Sequence, residues 1–251
     1  MKQYVNTTIV NKIARIKFYS DKGNSFTSEQ LASLSKAIEV LNNNIEITII
    51  ILESEGNSVF CSGASFDELL SINEEASSKI FFSGFAQVIL ALKKSSKIVI
   101  GNIQGKTVGG GVGLIAACDY VIATKNTQIK LSELAIGIGP FVIEPVISYK
   151  IGKTAMADLM LNPTEWKDSI WALNKGLFTK VFDTIEDSEN YLDEYSKKLS
   201  QYNPDALIEI KKILWENTEH WNDLLKNRAA VSGKLALSNF TKNTLKQFKK
   251  I

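Results

Sequence analysis

Gln104-Gly105-Lys106-Thr107-Val108-Gly109-Gly110-Gly111-Val112-Gly113 is the stretch on which the reading of this chain turns. Its second half sets four glycines within five residues, just ahead of the apolar run Leu114-Ile115-Ala116-Ala117. Glycine at that density means that the main chain approaches something closely or takes positive φ. Three readings compete. One is a tight strand-to-helix connection with no ligand. Another is a dinucleotide site, because Gly111 to Ala116 satisfies G-x-G-x-x-A; but that fingerprint directly follows its strand, and here Gly105 to Val108 intervene after the run Ile98 to Ile103. The third is an oxyanion hole, in which N–H groups at a helix start meet negative charge developing on a substrate oxygen. It needs a second donor loop, and Cys61-Ser62-Gly63-Ala64 is a candidate.

Outward from this stretch, the pattern alternates between strands and helices. Tyr4 to Val10 and Ile13 to Tyr19 read as a hairpin about Asn11-Lys12, rich in β-branched and aromatic residues. Thr27 with Gln30 makes a capping box, Phe26 with Leu31 a hydrophobic staple, and Leu31, Leu34, Ile38 and Leu41 recur at helical spacing. Ile47 to Leu52 and Ile98 to Ile103 are continuous apolar runs, the mark of strands buried on both faces. A helical stretch follows the Cys61 loop to about Lys93, and a further strand is expected around Tyr120 to Ala123. No Pro/Ser-rich linker divides them, so the fold class is α/β. From Thr164 the character is helical: Thr164 is expected to cap a segment ending at Gly176, Asp205 to open another, and Trp221 to Lys249 to continue helical with a basic end. Such a region packs either on a neighbouring subunit or over its own active site, and periodicity does not choose.

The 251 residues, 45% hydrophobic and 22% charged, suffice for a large buried core. With 29 basic and 27 acidic side chains the net charge is +2, which argues against nucleic acid and anionic membranes as partners. Cys61 and Cys118 have apolar neighbours and no metal-ligand spacing, and Met1 to Asn6 lacks an apolar signal core. No run approaches the roughly 18 apolar residues of a membrane span. The expected compartment is the reducing cytoplasm, with no metal.

Gly56-Asn57-Ser58-Val59-Phe60-Cys61-Ser62-Gly63-Ala64-Ser65-Phe66-Asp67-Glu68-Leu69 resembles the FCAGADLKEL loop of the crotonase, or enoyl-CoA hydratase/isomerase, superfamily. Gln104 to Gly111 is similar to that family's second loop, Ala117-Cys118-Asp119-Tyr120 to its next strand, and Lys130 to Pro140 to a segment of bacterial methylglutaconyl-CoA hydratase-like proteins. The pair of loops in this order is specific; either alone is not. The resemblance implies a spiral of ββα repeats over residues 1–190 and a helical C-terminal oligomerisation region over 191–251, building a homotrimer or a dimer of trimers. It implies an acyl-CoA substrate with no separate cofactor, oxyanion donors in the N–H groups of Ala64 and Gly110, Glu133 as the proton-transferring residue, and Ser62, Gly113 and Phe141 at the substrate.

The resemblance is imperfect where it matters most. Hydratases of the family carry a second glutamate at the position of Gly113 and a glycine just after the position of Pro140, where this chain has Phe141 and Val142. Hydration needs a proton for one carbon and water for the next, a task shared between two carboxylates. One carboxylate suits double-bond migration, and bulky neighbours would raise its pKa by desolvation. Glu144 is a possible replacement, weighed against a solvated glutamate at a helix start. An alternative is a non-catalytic acyl-CoA-binding or RNA-associated scaffold, though basic and aromatic residues are not interleaved as RNA binding requires. Glu133 also has the plainer reading of a surface carboxylate. His220, the only histidine, is expected to be an exposed helix-start residue, and Cys61 a small buried hydrophobe rather than a nucleophile. Lys22, Lys246, Lys249 and Lys250 could meet CoA phosphates, or simply be solvated.

Overall fold

β1 (Gln3–Val10) and β2 (Ile13–Ser20) form the expected hairpin, turning at Asn11 with φ 55°. The computed structural model describes residues 2–248. α1 (Ser28–Asn42) begins at Thr27, whose hydroxyl accepts from the Gln30 N–H at 3.2 Å. The other arm of the capping box is not made. The Gln30 side chain instead donates to Tyr19 O at 2.7 Å and Tyr4 O at 3.3 Å, fastening the helix to the hairpin.

The same unit then recurs three times. β3 (Ile49–Ser54) and β4 (Val59–Cys61) lead into α2 (Phe66–Ser71) and α3 (Glu75–Lys94). β5 (Ile98–Ile103) and β6 (Lys106–Val108) lead into α4 (Gly110–Ala116). β7 (Tyr120–Thr124) and β8 (Gln128–Lys130) lead into a 3-10 turn, Glu133–Ile136, and α5 (Glu144–Leu161). In these three units the first strand joins a large sheet and the second a small one, whereas β1 and β2 both lie in the large sheet. After β9 (Lys167–Asp168), α6 (Ser169–Asn174) and β10 (Lys180–Phe182), the large sheet has the order β1-β2-β3-β5-β7-β10 and the small one β4-β6-β8-β9. β3, β5, β7 and β10 run parallel, and all residues of β3 and β5 are buried, which is why they read as unbroken apolar runs. The expected spiral of ββα repeats is therefore present.

The chain ends in α7 (Ile185–Leu199), α8 (Pro204–Leu214), α9 (Trp221–Ala236) and α10 (Asn239–Phe248). α7 runs through the expected boundary at 190/191. Three expected ends move. The first apolar strand begins at Ile49, not Ile47; α6 is capped by Asp168, whose carboxylate accepts from Trp171 N–H, not by Thr164; and α8 opens on Asn203, ahead of Asp205. The stretch expected to be helical from Trp221 is so, as two helices, and Lys249 and Lys250 lie outside the described residues. α9 lies along α3, where the Ser78 hydroxyl donates to Gly233 O at 3.0 Å, and α10 reaches α2 and the 3-10 turn. The last two helices thus cover their own chain.

Candidate active site

The second strand of each repeat delivers one loop to a single cavity of about 550 Å³. After β4, Phe26 N–H donates to Gly63 O at 2.8 Å and Ser65 N–H to Phe26 O at 2.7 Å, a parallel bridge that uses the residues on either side of Ala64. Because successive groups of an extended chain point to opposite sides, the Ala64 N–H faces away from Phe26, and it has no acceptor among the described residues. After β6, Gly109 N–H donates to Lys130 O and Val112 N–H to Gly109 O. Gly110 N–H, at the start of α4, has no acceptor among the described residues.

The two loops meet at Gly63 and Gly109, both with positive φ, 89° and 54°. A Cβ on Gly63 would lie 2.9 Å from Val108 O and 3.7 Å from Gly110 N, so only a residue without a side chain allows the contact. Ala64 N is two bonds from the Gly63 α-carbon, which brings both free amides to one place. A Cβ on Gly109 would lie 2.8 Å from Glu133 Oε1. The carboxylate therefore rests against the same loop.

Glu133 opens the 3-10 turn, which closes at left-handed Gly137 (φ 84°) with Gly137 N–H donating to Leu134 O and Ile138 N–H to Glu133 O. Thr241 of α10 donates to Gly137 O at 3.2 Å, while the Phe240 ring packs on the Gly137 α-carbon. The Glu133 residue is only partly covered, because it forms cavity wall, yet its Oε2 is sealed from bulk solvent and has no hydrogen-bond partner. Burial pushes its carboxyl up to about 7, and its own backbone N–H offsets a little of that.

Ala64, Gly110, Glu133, Ser62 and Phe141 all line the cavity. Ser62 is exposed at its mouth and donates to Lys22 O at 3.1 Å. Gly113 does not line it: its α-carbon lies beneath Ile143, whose Cγ2 would be 2.4 Å from a Cβ there, and Ile143 holds the wall. The G-x-G-x-x-A match falls inside α4, with Gly111 against Cys61 and Gly113 against Ile143, so it cradles no phosphate. Glu144 is at a helix start as expected but not solvated. It is buried, accepts from Ser148 at 2.6 Å, pairs with Lys153 and Arg228, and does not line the cavity. These partners outweigh its burial and hold its carboxyl below the usual value. His220 is exposed at the start of α9. Burial pushes the Cys61 thiol up to about 12, which removes it as a nucleophile at neutral pH.

Several residues were invisible to motif reading. Phe81, Phe82 and Phe85 of α3, Ser232 of α9 and Lys130 line the cavity, while Lys22, already a candidate from the sequence, lines it too. Trp166 holds Lys130 Nζ at 4.4 Å and Lys106 Nζ at 5.3 Å from its ring centre. The three phenylalanines carried a faint signal in their i, i+1, i+4 spacing on one helix, and the tryptophan carried none. Among the described residues no cluster suited to a metal occurs, and no helix is long and apolar enough to cross a membrane.

The sequence pattern of the family described as Enoyl-CoA hydratase/isomerase matches residues 8–248. A peroxisomal Delta(3,5)-Delta(2,4)-dienoyl-CoA isomerase of Arabidopsis thaliana is 26% identical over 211 residues, 78% of this chain and 74% of its own. A mitochondrial methylglutaconyl-CoA hydratase of Rattus norvegicus is 32% identical over 119 residues, 47% of this chain and 37% of its own. The solved enoyl-CoA hydratase of Bacillus halodurans superposes with a TM-score of 0.90 over 97% of this chain and 99% of its own, at 24% identity.

Proposed function

Since the chain belongs to the enoyl-CoA hydratase/isomerase family, we propose that it is an acyl-CoA enzyme that moves a proton along an enoyl thioester. The Ala64 and Gly110 N–H groups hold the thioester oxygen as it gains charge, and Glu133 carries the proton. The observation behind this reading is the meeting, in one cavity, of two main-chain amides without protein acceptors and one sealed carboxylate without a partner. Removing one such donor costs about 2.7–4 kcal/mol of transition-state stabilisation.

Isomerisation fits better than hydration. Glu133 is the one carboxylate among the described residues that is both sealed and in the cavity wall, Ile143 fills the space over Gly113, and Glu144 is paired elsewhere. With a 3-enoyl-CoA, Glu133 would take the proton from C2, the double bond would shift from C3–C4 to C2–C3, and the same carboxyl would return the proton to C4. A carboxyl near pH 7 in strength suits a group that must accept and give back. Lys22, Lys130 and Lys106 would place positive charge near the CoA phosphates. Exposed Ile210, Ile213 and Leu214 of α8 are the apolar surface that a trimer contact would cover.

Incubation with 3-enoyl-CoA and 2-enoyl-CoA, followed by separation of the products, tests this. Double-bond migration without 3-hydroxyacyl-CoA is expected. Rapid hydration of the 2-enoyl ester would overturn the single-carboxylate mechanism.

A further inference from the structure

Four charged residues line the cavity: Lys22, Asp67, Lys130 and Glu133. Both cations belong to the mouth. Lys22 is exposed beside Ser62, and the Lys130 ammonium is turned toward the Trp166 ring. Asp67 sits exposed in the first turn of α2, so it adds negative charge and no partner for an anion.

Away from the lysines the wall is Leu69, Phe81, Phe82, Phe85, Ile136 and Ile138. α9 adds one polar residue, Ser232, only 1% exposed. The Ser78–Gly233 contact holds α9 against α3 next to it; a Cβ on Gly233 would lie 2.9 Å from Ser78 Oγ. Ser232 thus adds one neutral hydroxyl to a largely apolar wall, and the other polar uncharged residues of the lining, Ser25, Ser62, Ser65, Ser132 and Thr164, supply no positive charge.

We propose that this chamber takes uncharged acyl groups and turns away acyl chains that end in a carboxylate. This deepens the acyl-CoA reading above and rests on it. A carboxylate here would lose its water, find no cation, and gain only neutral hydroxyls, a trade that fails for a desolvated ion. It would also stand near Glu133, and a second negative charge opposes the ionisation that Glu133 needs to act as a base.

Binding to the wild-type protein separates charge from size and needs no turnover. Calorimetric titrations would use three saturated, unreactive esters: hexanoyl-CoA, adipoyl-CoA and the ω-methyl ester of adipoyl-CoA. Hexanoyl-CoA and the methyl ester are expected to bind within severalfold of one another, and adipoyl-CoA to bind about 30-fold or more weakly, as for a charge buried without a partner. Adipoyl-CoA binding as tightly as hexanoyl-CoA would overturn the exclusion while leaving the acyl-CoA reading in place. Equal weakness of adipoyl-CoA and its methyl ester would also overturn it, since size would then set the limit. Failure of all three esters to bind would remove the acyl-CoA reading, and this inference with it.

Discussion

Two carboxylates lie deep in this protein and are treated in opposite ways. Asp119, just before β7, has both oxygens engaged: Oδ2 accepts from Val99 N–H at 2.7 Å and Lys211 Nζ at 2.8 Å, and Oδ1 from Trp215 Nε1 at 2.6 Å. Lys211 in turn donates to Leu92 O and Lys97 O. Glu133 has an oxygen with no hydrogen-bond partner among the described residues. Where both oxygens are matched by donors, a buried charge acts as a rivet between α8 and the sheet. Where one is left unmatched beside a cavity, the protein tolerates a destabilised group, and that is where chemistry is found.

The contrast can be broken most sharply at Glu133. Glu133→Gln keeps the shape and removes the base, so kcat with a 3-enoyl-CoA should fall about a thousandfold while acyl-CoA binding is kept. In the parent enzyme, kcat/KM should rise with pH about a midpoint near 7, because the base must be ionised. Retention of full turnover by the variant would show that another group moves the proton.

At Asp119 the prediction is reversed. Asp119→Ala strands Lys211 in the interior, and denaturant unfolding should register a loss of about 3–5 kcal/mol, with activity per folded molecule almost unchanged.

Stability should move the other way at Glu133. Its folded value of about 7 lies above the ordinary 4.5, so the native state binds the extra proton. The parent's stability is then undiminished below about pH 4.5, declines as pH climbs to about 7, and stays reduced above. Glu133→Gln should therefore unfold later than the parent at pH 8, by roughly 3 kcal/mol at full ionisation, and show little gain at pH 5. A variant no more stable at pH 8 would mean that cavity water already solvates the carboxylate.

The smallest effect is expected at Thr241, whose hydroxyl donates to Gly137 O in the turn that carries Glu133 and accepts from the Ser238 hydroxyl at 3.2 Å. Thr241→Val removes both hydrogen bonds, about 1 kcal/mol each, and should lower kcat severalfold with KM nearly constant, while Thr241→Ser restores it. A change confined to melting temperature would limit Thr241 to a structural role.

The two carboxylates also differ in how readable they were. Glu133 stands in a local pattern with apolar neighbours, as do the loops ending at Ala64 and Gly110, and β3, β5 and α1 announced themselves by apolar runs and spacing. Asp119 was visible only as part of a family-like tetrapeptide, because its partners Lys211 and Trp215 are more than ninety residues away. β4, β6 and β8 have three residues each, too few for any period to show, although they carry the loops that matter. Ile143 over Gly113, and Ser232 in the cavity wall, follow from packing between distant segments. Gln30 was read as part of a cap because local rules see only neighbours, whereas its side chain serves strands already laid down.

Both free amides belong to the main chain, and no codon change can erase a main-chain N–H short of introducing proline. What selection can exchange in this cavity is the acid and the lining. If these amides hold a thioester oxygen as proposed, that grip would outlast substitution at either residue, and a change of reaction would call for a relocated carboxyl group rather than a rebuilt grip.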